Sequence, residues 1–368
     1  MEAISKNKIK QAGKILADKD AHSKEEILNS EKLLQYWRIL HEQIMTEFYD
    51  IVLTEAKDID TFATIAQRVK RSESIIAKLQ RQPVNQLTTM QDIAGIRAIM
   101  PDLITSQSLR ERLKGIGEEH KFKTYDNYIA NPKKSGYRSI HLVYKYVSPL
   151  SVPLNGLMIE IQIRTELQHS WATAVETMST FLGTHLKFGE GQPKWLKYFA
   201  LTSNSFSYLE GTPQVPGYEH MSEEETHEMA LYEFRYNEIE EKLSAFTTAA
   251  NHITKQNSPN KFYHLLTLNT TIRRVSIKSF EKDEFKLANE KYTIAERKHR
   301  NTPSVQVVLV STESIQELRR AFPNYFLDVA GFLENMSKIR IRYNRLKDRQ
   351  IFREMSESSK FDKKTKFK

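Results

Sequence analysis

Apolar residues recur at three- and four-residue spacing through 25–54, where Leu33, Leu34, Trp37, Leu40, Ile44 and Phe48 would form one stripe of a long helix. Asp60 or Thr61 could cap a second helix over 61–81, rich in Arg and Lys. Between 92 and 165 the period falls to two. The run 92–100 is short, apolar and closed by Pro101, and 138–147 and 157–165 alternate apolar and polar side chains, so three strands are predicted. A helix over 105–115 and a loop over 126–137 would supply the crossings, and a helix over 165–182 follows the last strand directly. This order implies an α/β or α+β domain with a mixed sheet.

Residues 183–222 are rich in Gly and Pro and predict loops around one short helix near 194–209. A helix over 223–255 leads to Asn257-Ser-Pro-Asn260, a candidate boundary. Beyond it the pattern predicts a strand (272–280), a helix (283–299), a strand (304–311) and short helices to about 345, a small α/β unit. The expected domains are therefore 1–257, 258–345 and a basic tail, 346–368. From Lys338 onward twelve Lys or Arg face four Asp or Glu. Such runs are more often solvated and disordered than bound to RNA.

Composition narrows the chemistry. With 368 residues, 39% hydrophobic and 27% charged, the chain has the balance of a soluble globular protein. No stretch is apolar enough for a membrane helix, and the N-terminus lacks a signal core, so a cytoplasmic location is expected. There is no cysteine, which removes disulfides and thiolate zinc sites and leaves oxygen or imidazole donors for any metal. The net charge of +9 favours polyanionic partners, nucleotides or nucleic acid.

The segment Met158–Arg164 carries the sharpest local signal. In a strand, Ile159, Ile161 and Ile163 share one face, and Glu160, Gln162 and Arg164 the other. Such a polar row borders either a cleft or an exposed sheet edge. Ser139 and His141 share one face of the neighbouring strand. The basic turn Asn131-Pro-Lys-Lys-Ser-Gly-Tyr137 could present Tyr137 to a base, with Lys133 and Lys134 near phosphates. On a helix, Lys70, Ser74 and Lys78 would form a stripe suited to a triphosphate or simply to solvent. Asp92 and Arg97 flank a short buried strand, where an unpaired charge would be costly.

Four blocks, RVKRSESIIAK (68–78), DIAGIR (92–97), NPKKSGYRSIH (131–141) and EIQIRTELQHSWATAVE (160–176), together resemble the synthetase domain of the RelA/SpoT nucleotidyltransferases over roughly 60–182. The resemblance implies an α+β, nucleotidyltransferase-type mixed sheet that moves pyrophosphate from ATP to a hydroxyl. It implies that Arg68 and Arg97 sandwich the adenine, that Lys70, Ser74 and Lys78 hold phosphates, and that Asp92 and Glu160 hold Mg²⁺. Glu160 could also take the hydroxyl proton. Tyr137 would stack on the acceptor, with His141, Gln162, Arg164 and His169 positioning acceptor or phosphates.

The segment LRRAFPNYFLDVAGFLENM (318–336) resembles the antitoxin domain, a zinc finger without ligands, of the fused toxin–antitoxin subgroup called CapRel. Its Tyr-x-x-Tyr motif would fall on Phe322-Pro-Asn-Tyr325; stacking survives the Phe322 exchange, whereas a hydroxyl hydrogen bond does not. These aromatics could equally be the module's own core. The resemblance implies a self-inhibited enzyme acting on the 3′ CCA end of tRNA, released by a phage protein, capsid in particular. A synthetase acting on GDP or GTP is the alternative, and an inactive RNA-binding module is a third reading.

Overall fold

The computed structural model describes residues 4–81, 86–115, 120–148, 151–182, 189–236, 261–269, 274–299, 304–312, 315–326 and 328–365, with a few single positions between them. Its chain divides into two compact units. The first comprises Met1–Asn127, Ser139–Glu166 and His252–Phe326; the second comprises Tyr128–Arg138, Leu167–Asn251 and Leu327–Lys368.

The first unit opens with α1 (Lys6–Ala17) and α2 (Lys24–Ile59). Ser23 starts α2 with a capping box: its side chain accepts from the Glu26 amide, and the Glu26 carboxylate accepts from the Ser23 amide. The single helix expected over 61–81 is instead strand β1 (Thr64–Val69) and helix α3 (Ser72–Arg81). Thr64, Ile65 and Val69 are β-branched, and the stretch from Thr64 to Gln67 is buried all round, so tertiary pairing overrides the apparent helical period.

The other strands are β2 (Ala94–Met100), β3 (Lys121–Asn127), β4 (Ile140–Lys145), β5 (Met158–Thr165), β6 (Tyr263–Asn269), β7 (Arg274–Phe280) and β8 (Val305–Ser311). They form one mixed sheet in the order β3-β4-β5-β2-β1-β8-β6-β7. Only the β2–β5 pair among these is parallel. Sequence reading passed over two strands. Edge strand β3 is mostly polar and lysine-bearing, as edges often are. Strand β6 begins just past the expected boundary at 257–260, which lies outside the described residues. Beyond it, β6, β7 and β8 continue the same sheet, with β8 pairing to β1 at Gln67 and Arg68.

Strand β5 lies inside the sheet between β4 and β2, which removes the exposed-edge reading of its polar row. Ile159, Ile161 and Ile163 are fully buried on the side that packs against α2 and α4 (Leu103–Lys114). Each such side chain contributes about 1.5–3 kcal/mol relative to exposure.

The second unit holds α5 (Glu166–Leu182, from Leu167 onward), α6 (Pro193–Glu210), α7 (Glu223–Tyr236) and part of the C-terminal segment. Trp171 Nε1 donates to the Phe199 carbonyl at 2.9 Å, and Phe332 packs near Phe199 and Phe206. The first unit also carries α8 (Phe285–His299) and α9 (Ile315–Ala321). The basic tail expected to be disordered continues a single helix, α10 (Ala330–Thr365). Arg342 pairs with Glu223, Lys347 lies 3.1 Å from Glu224, and Tyr343 bonds Glu228, so acids on α7 neutralise part of that run.

The loop 128–138 is closed by Gly136, whose φ of 89° suits glycine. Its carbonyl accepts from Ser203 Oγ at 2.6 Å, and an added Cβ would lie 2.6 Å from Ser203 Cβ. Gly136→Ala should therefore destabilise the protein by about 2–3 kcal/mol through overpacking and backbone strain. Thermal denaturation will register this as a lowered Tm; an unchanged Tm would contradict the packing described.

Candidate active site

Cross-strand register assembles the polar face. Gly95 on β2 pairs with Arg68 on one side and Glu160 on the other, and Arg97 pairs with Gln162, which in turn pairs with His141. Paired residues point to the same face, so Arg68, Arg97, Glu160, Gln162, Arg164 and His141 line one surface. Gly95 has no side chain there. An added Cβ would meet only backbone atoms, at 3.8 Å from the Arg68 carbonyl and 4.0 Å from the Glu160 carbonyl. It leaves a depression between cation and carboxylate. Gly95 was missing from the sequence-based site; a lone glycine inside a strand pattern was the available signal.

Asp92 enters this face from just before β2. Its carboxylate accepts from Lys70 at 2.7 Å and from Lys78 at 3.0 Å. Lys70 ends the β1 turn and Lys78 lies on α3, so the stripe predicted on one helix spans a strand-to-helix junction; both lysines nonetheless reach one carboxylate. Ser74 stands half-buried in the first turn of α3. Burial raises the Asp92 pKa, but the two ammonium groups outweigh it and hold the carboxyl well below the usual range. Burial also lowers the Lys70 pKa, against the opposing pull of Asp92.

Glu160 is held differently. His141 Nδ1 lies 2.9 Å from its Oε1, and Gln162 Nε2 donates to its Oε2 at 2.6 Å. A carboxylate can only accept, so Nδ1 carries the hydrogen. Arg164, fully buried, donates to Gln162 Oε1 at 3.0 Å and so orients the amide. Burial raises the Glu160 pKa and the Asp92 charge adds to that, yet the His141 bond leaves it lowered overall. The two carboxylates therefore feel one another while both favour the ionised form. Among the described residues no cluster of three or more His, Asp or Glu forms a ready metal cage. Two ionised carboxylates that sense each other, beside cations suited to phosphates, fit a hard divalent ion whose remaining ligands are phosphate and water.

Arg97 is occupied. Its guanidinium lies over the Phe322 ring, 5.2 Å from the centroid, and its Nη1 donates to the Ala321 carbonyl at 2.8 Å. Phe322 and Tyr325 are both 2% exposed, with ring centroids 6.3 Å apart. Both are core of their segment, and Phe322 also covers Arg97. Arg68 remains half-buried on the same face.

Four predicted site residues belong to the second unit: Lys133, Lys134, Tyr137 and His169. Tyr137 is 3% exposed, edge-on to Tyr128 with centroids 5.9 Å apart, and Lys133 Nζ lies 4.2 Å from the Tyr128 centroid. The ring is packed within its loop here, not presented as a stacking platform. Lys134 is exposed and His169 is buried.

The sequence blocks that carry these residues are similar to those of known proteins. Residues 67–181 match the family described as "Region found in RelA / SpoT proteins". The chain is 36% identical over 119 residues to "GTP pyrophosphokinase YjbM" of Bacillus subtilis, covering 31% of this chain and 55% of that protein. It is 31% identical over 165 residues to a "GTP pyrophosphokinase" of Photobacterium angustum, covering 44% of this chain and 20% of that one. It thus spans about half or less of the curated relatives it matches. The solved structure of small alarmone synthetase 1 from Bacillus subtilis bound to pppGpp aligns with 28% identity and a TM-score of 0.41, over 48% of this chain and 93% of that one.

The depressed Asp92 pKa has a consequence for stability. Its contribution is fully present above the ordinary aspartate range near pH ~4 and is lost as the pH falls through the lower folded value. Asp92→Asn should lower stability at neutral pH and flatten its acid dependence below pH ~4. Urea unfolding at several pH values will show this; parallel curves for both proteins would contradict the ion triad.

Proposed function

We propose that the polar face formed by β1, β2, β4 and β5 binds ATP with Mg²⁺ and transfers its β,γ-pyrophosphate to a hydroxyl of a nucleotide or RNA. The observation that carries this reading is the carboxylate pair: Asp92 held by Lys70 and Lys78, and Glu160, held by His141 and Gln162, close enough to feel the Asp92 charge. A purely electrostatic RNA binder gains nothing from carboxylates in that position, which disfavours the inactive-module reading.

In the proposed reaction the acceptor oxygen attacks the β-phosphorus, the bond to the α–β bridging oxygen breaks, and AMP departs. Lys70, Lys78 and Ser74 meet the phosphate oxygens, replacing the contacts the lysines now make with Asp92. Mg²⁺, held by Asp92 and Glu160, would neutralise charge on the transferred group. Arg68 and Arg97 hold the adenine by stacking. His141 and Gln162 fix Glu160, and Arg164 fixes Gln162. The lowered pKa of Glu160 makes it a metal ligand first and a weak base for the acceptor proton.

For the acceptor, the reading advanced is the 3′ CCA end of tRNA, in an anti-phage enzyme inhibited by its own C-terminal segment and released when a phage protein, capsid in particular, binds that segment. The Arg97–Phe322 contact supports the inhibited part of this reading, because adenine and Phe322 would compete for one guanidinium face. A cation–π contact and a charged hydrogen bond together contribute roughly 2–4 kcal/mol. A trigger that prefers the open form by a similar amount shifts the population. The second reading, transfer to GDP or GTP, is favoured by the chain's similarity to proteins named GTP pyrophosphokinase.

One assay separates them. ATP labelled in the γ-phosphate is incubated with wild type, Phe322→Leu and Phe322→Ala, and with tRNA, GDP or GTP. Phe322→Leu keeps the volume and removes the ring, so it should raise transfer about tenfold without unfolding. Label on tRNA supports the first reading, and label on guanine nucleotide alone overturns it. No label on any acceptor with any variant contradicts the activity. Glu160→Gln should lower transfer at least ~100-fold while leaving the fold intact.

A further inference from the structure

Behind the site lies a buried ionic network that no role above requires. Arg38 of α2 is 4% exposed and uses all three guanidinium nitrogens. Its Nε donates to the Lys70 carbonyl at 3.0 Å, its Nη1 to Ser72 Oγ at 3.0 Å and Gln35 at 2.8 Å, and its Nη2 to the Tyr292 hydroxyl at 2.9 Å. Glu296 of α8 completes the set. Its carboxylate accepts from the Ser72 amide at 3.1 Å, from Ser72 Oγ at 3.0 Å and from the Tyr292 hydroxyl at 2.6 Å, and lies 3.5 Å from Arg38.

The network acts on one short turn. The Lys70 amide donates to the Ile93 carbonyl at 2.8 Å and the Lys70 carbonyl accepts from Arg38, so the backbone of this lysine is pinned on both sides. Ser72 begins α3, and its amide is one of the helix's unpaired N-terminal donors until Glu296 accepts from it. The first two turns of α3 supply Ser74 and Lys78. Neither Arg38 nor Glu296 contacts Asp92 or Glu160.

We infer that Arg38 and Glu296 are positioning residues for the ATP cradle, holding the Lys70–Ser72 turn so that Lys70, Ser74 and Lys78 converge on the phosphates. This rests on the ATP reading above and adds a second, opposite role for the C-terminal segment. Phe322 covers the adenine side, whereas Glu296 builds the phosphate side. Displacing Phe322 and deleting the whole segment are therefore different perturbations: the first opens the site and the second also loosens its cradle.

The test uses the full-length chain carrying Phe322→Leu as parent, with Mg²⁺ and a fluorescent ATP analogue. Glu296→Gln and Arg38→Lys should each weaken analogue binding about tenfold, as losses of residues supporting direct ligands do. Tyr292→Phe, which removes one hydrogen bond, should weaken it less. The Arg38→Lys/Glu296→Gln double variant should lose clearly less than the product of the single losses, since the pair acts as one unit. A control, Val275→Ala in β7, lowers stability without touching the network and should bind as the parent does.

Hydrogen exchange supplies a readout independent of nucleotide: amides from Lys70 to Ser74 should exchange faster in Glu296→Gln, with those of β5 unchanged. Parent-like binding and exchange in Glu296→Gln would overturn the inference. So would tighter binding, or an equal loss in Val275→Ala. A parent that fails to bind the analogue contradicts the ATP reading itself, and unchanged exchange at Lys70–Ser74 then removes the positioning role as well.

Discussion

Asp92 sits between two ammonium groups, 2.7 Å from Lys70 and 3.0 Å from Lys78, at the mouth of a strand whose other face is buried hydrocarbon. A carboxylate in such a place loses several kcal/mol or so of hydration, and it stays charged only because cations approach closely. Lys70 gains in turn, since burial pulls its pKa down and the Asp92 charge opposes that pull. This mutual neutralisation keeps a highly charged cleft folded before any substrate arrives. It also suits the proposed exchange: a triphosphate would take the lysines, and the two charges of a divalent ion would replace theirs beside the carboxylate.

The sheet supplies the geometry for that exchange. The parallel β2–β5 pair places Gly95 directly between Arg68 and Glu160, so the missing side chain becomes the floor of the depression. The Arg164–Gln162–Glu160–His141 chain of hydrogen bonds then fixes the carboxylate from two directions. The C-terminal strands enter the same construction, because β8 pairs with β1 and brings α8 and α9 to the cleft's surroundings. One segment thus makes two contacts with this face: Phe322 lies on Arg97, while Glu296 accepts from the first amide of the helix that bears Ser74 and Lys78.

Much of this was legible in the sequence. The period-two alternation of Met158–Arg164 placed three isoleucines opposite Glu160, Gln162 and Arg164, and the sheet obeys it. The helical reading of 61–81 failed because Arg68 and Lys70 suit a solvated helix as well as a strand end, and only pairing with β2 decides. Strand β3 was too polar to announce itself. Tyr137 illustrates a different limit: its loop chemistry was visible, but packing against Tyr128 depends on contacts that spacing does not encode. Glu296 was invisible for the same reason, being 224 residues from the amide it caps.

The central claim is that Asp92 and Glu160 jointly hold a divalent ion against the phosphates of ATP. Mn²⁺ titrated in the presence and absence of α,β-methylene-ATP, followed by electron paramagnetic resonance, tests it directly. Tight Mn²⁺ binding that requires the nucleotide and disappears in both Asp92→Asn and Glu160→Gln is the predicted result. Nucleotide-dependent Mn²⁺ binding that survives both substitutions would contradict the account.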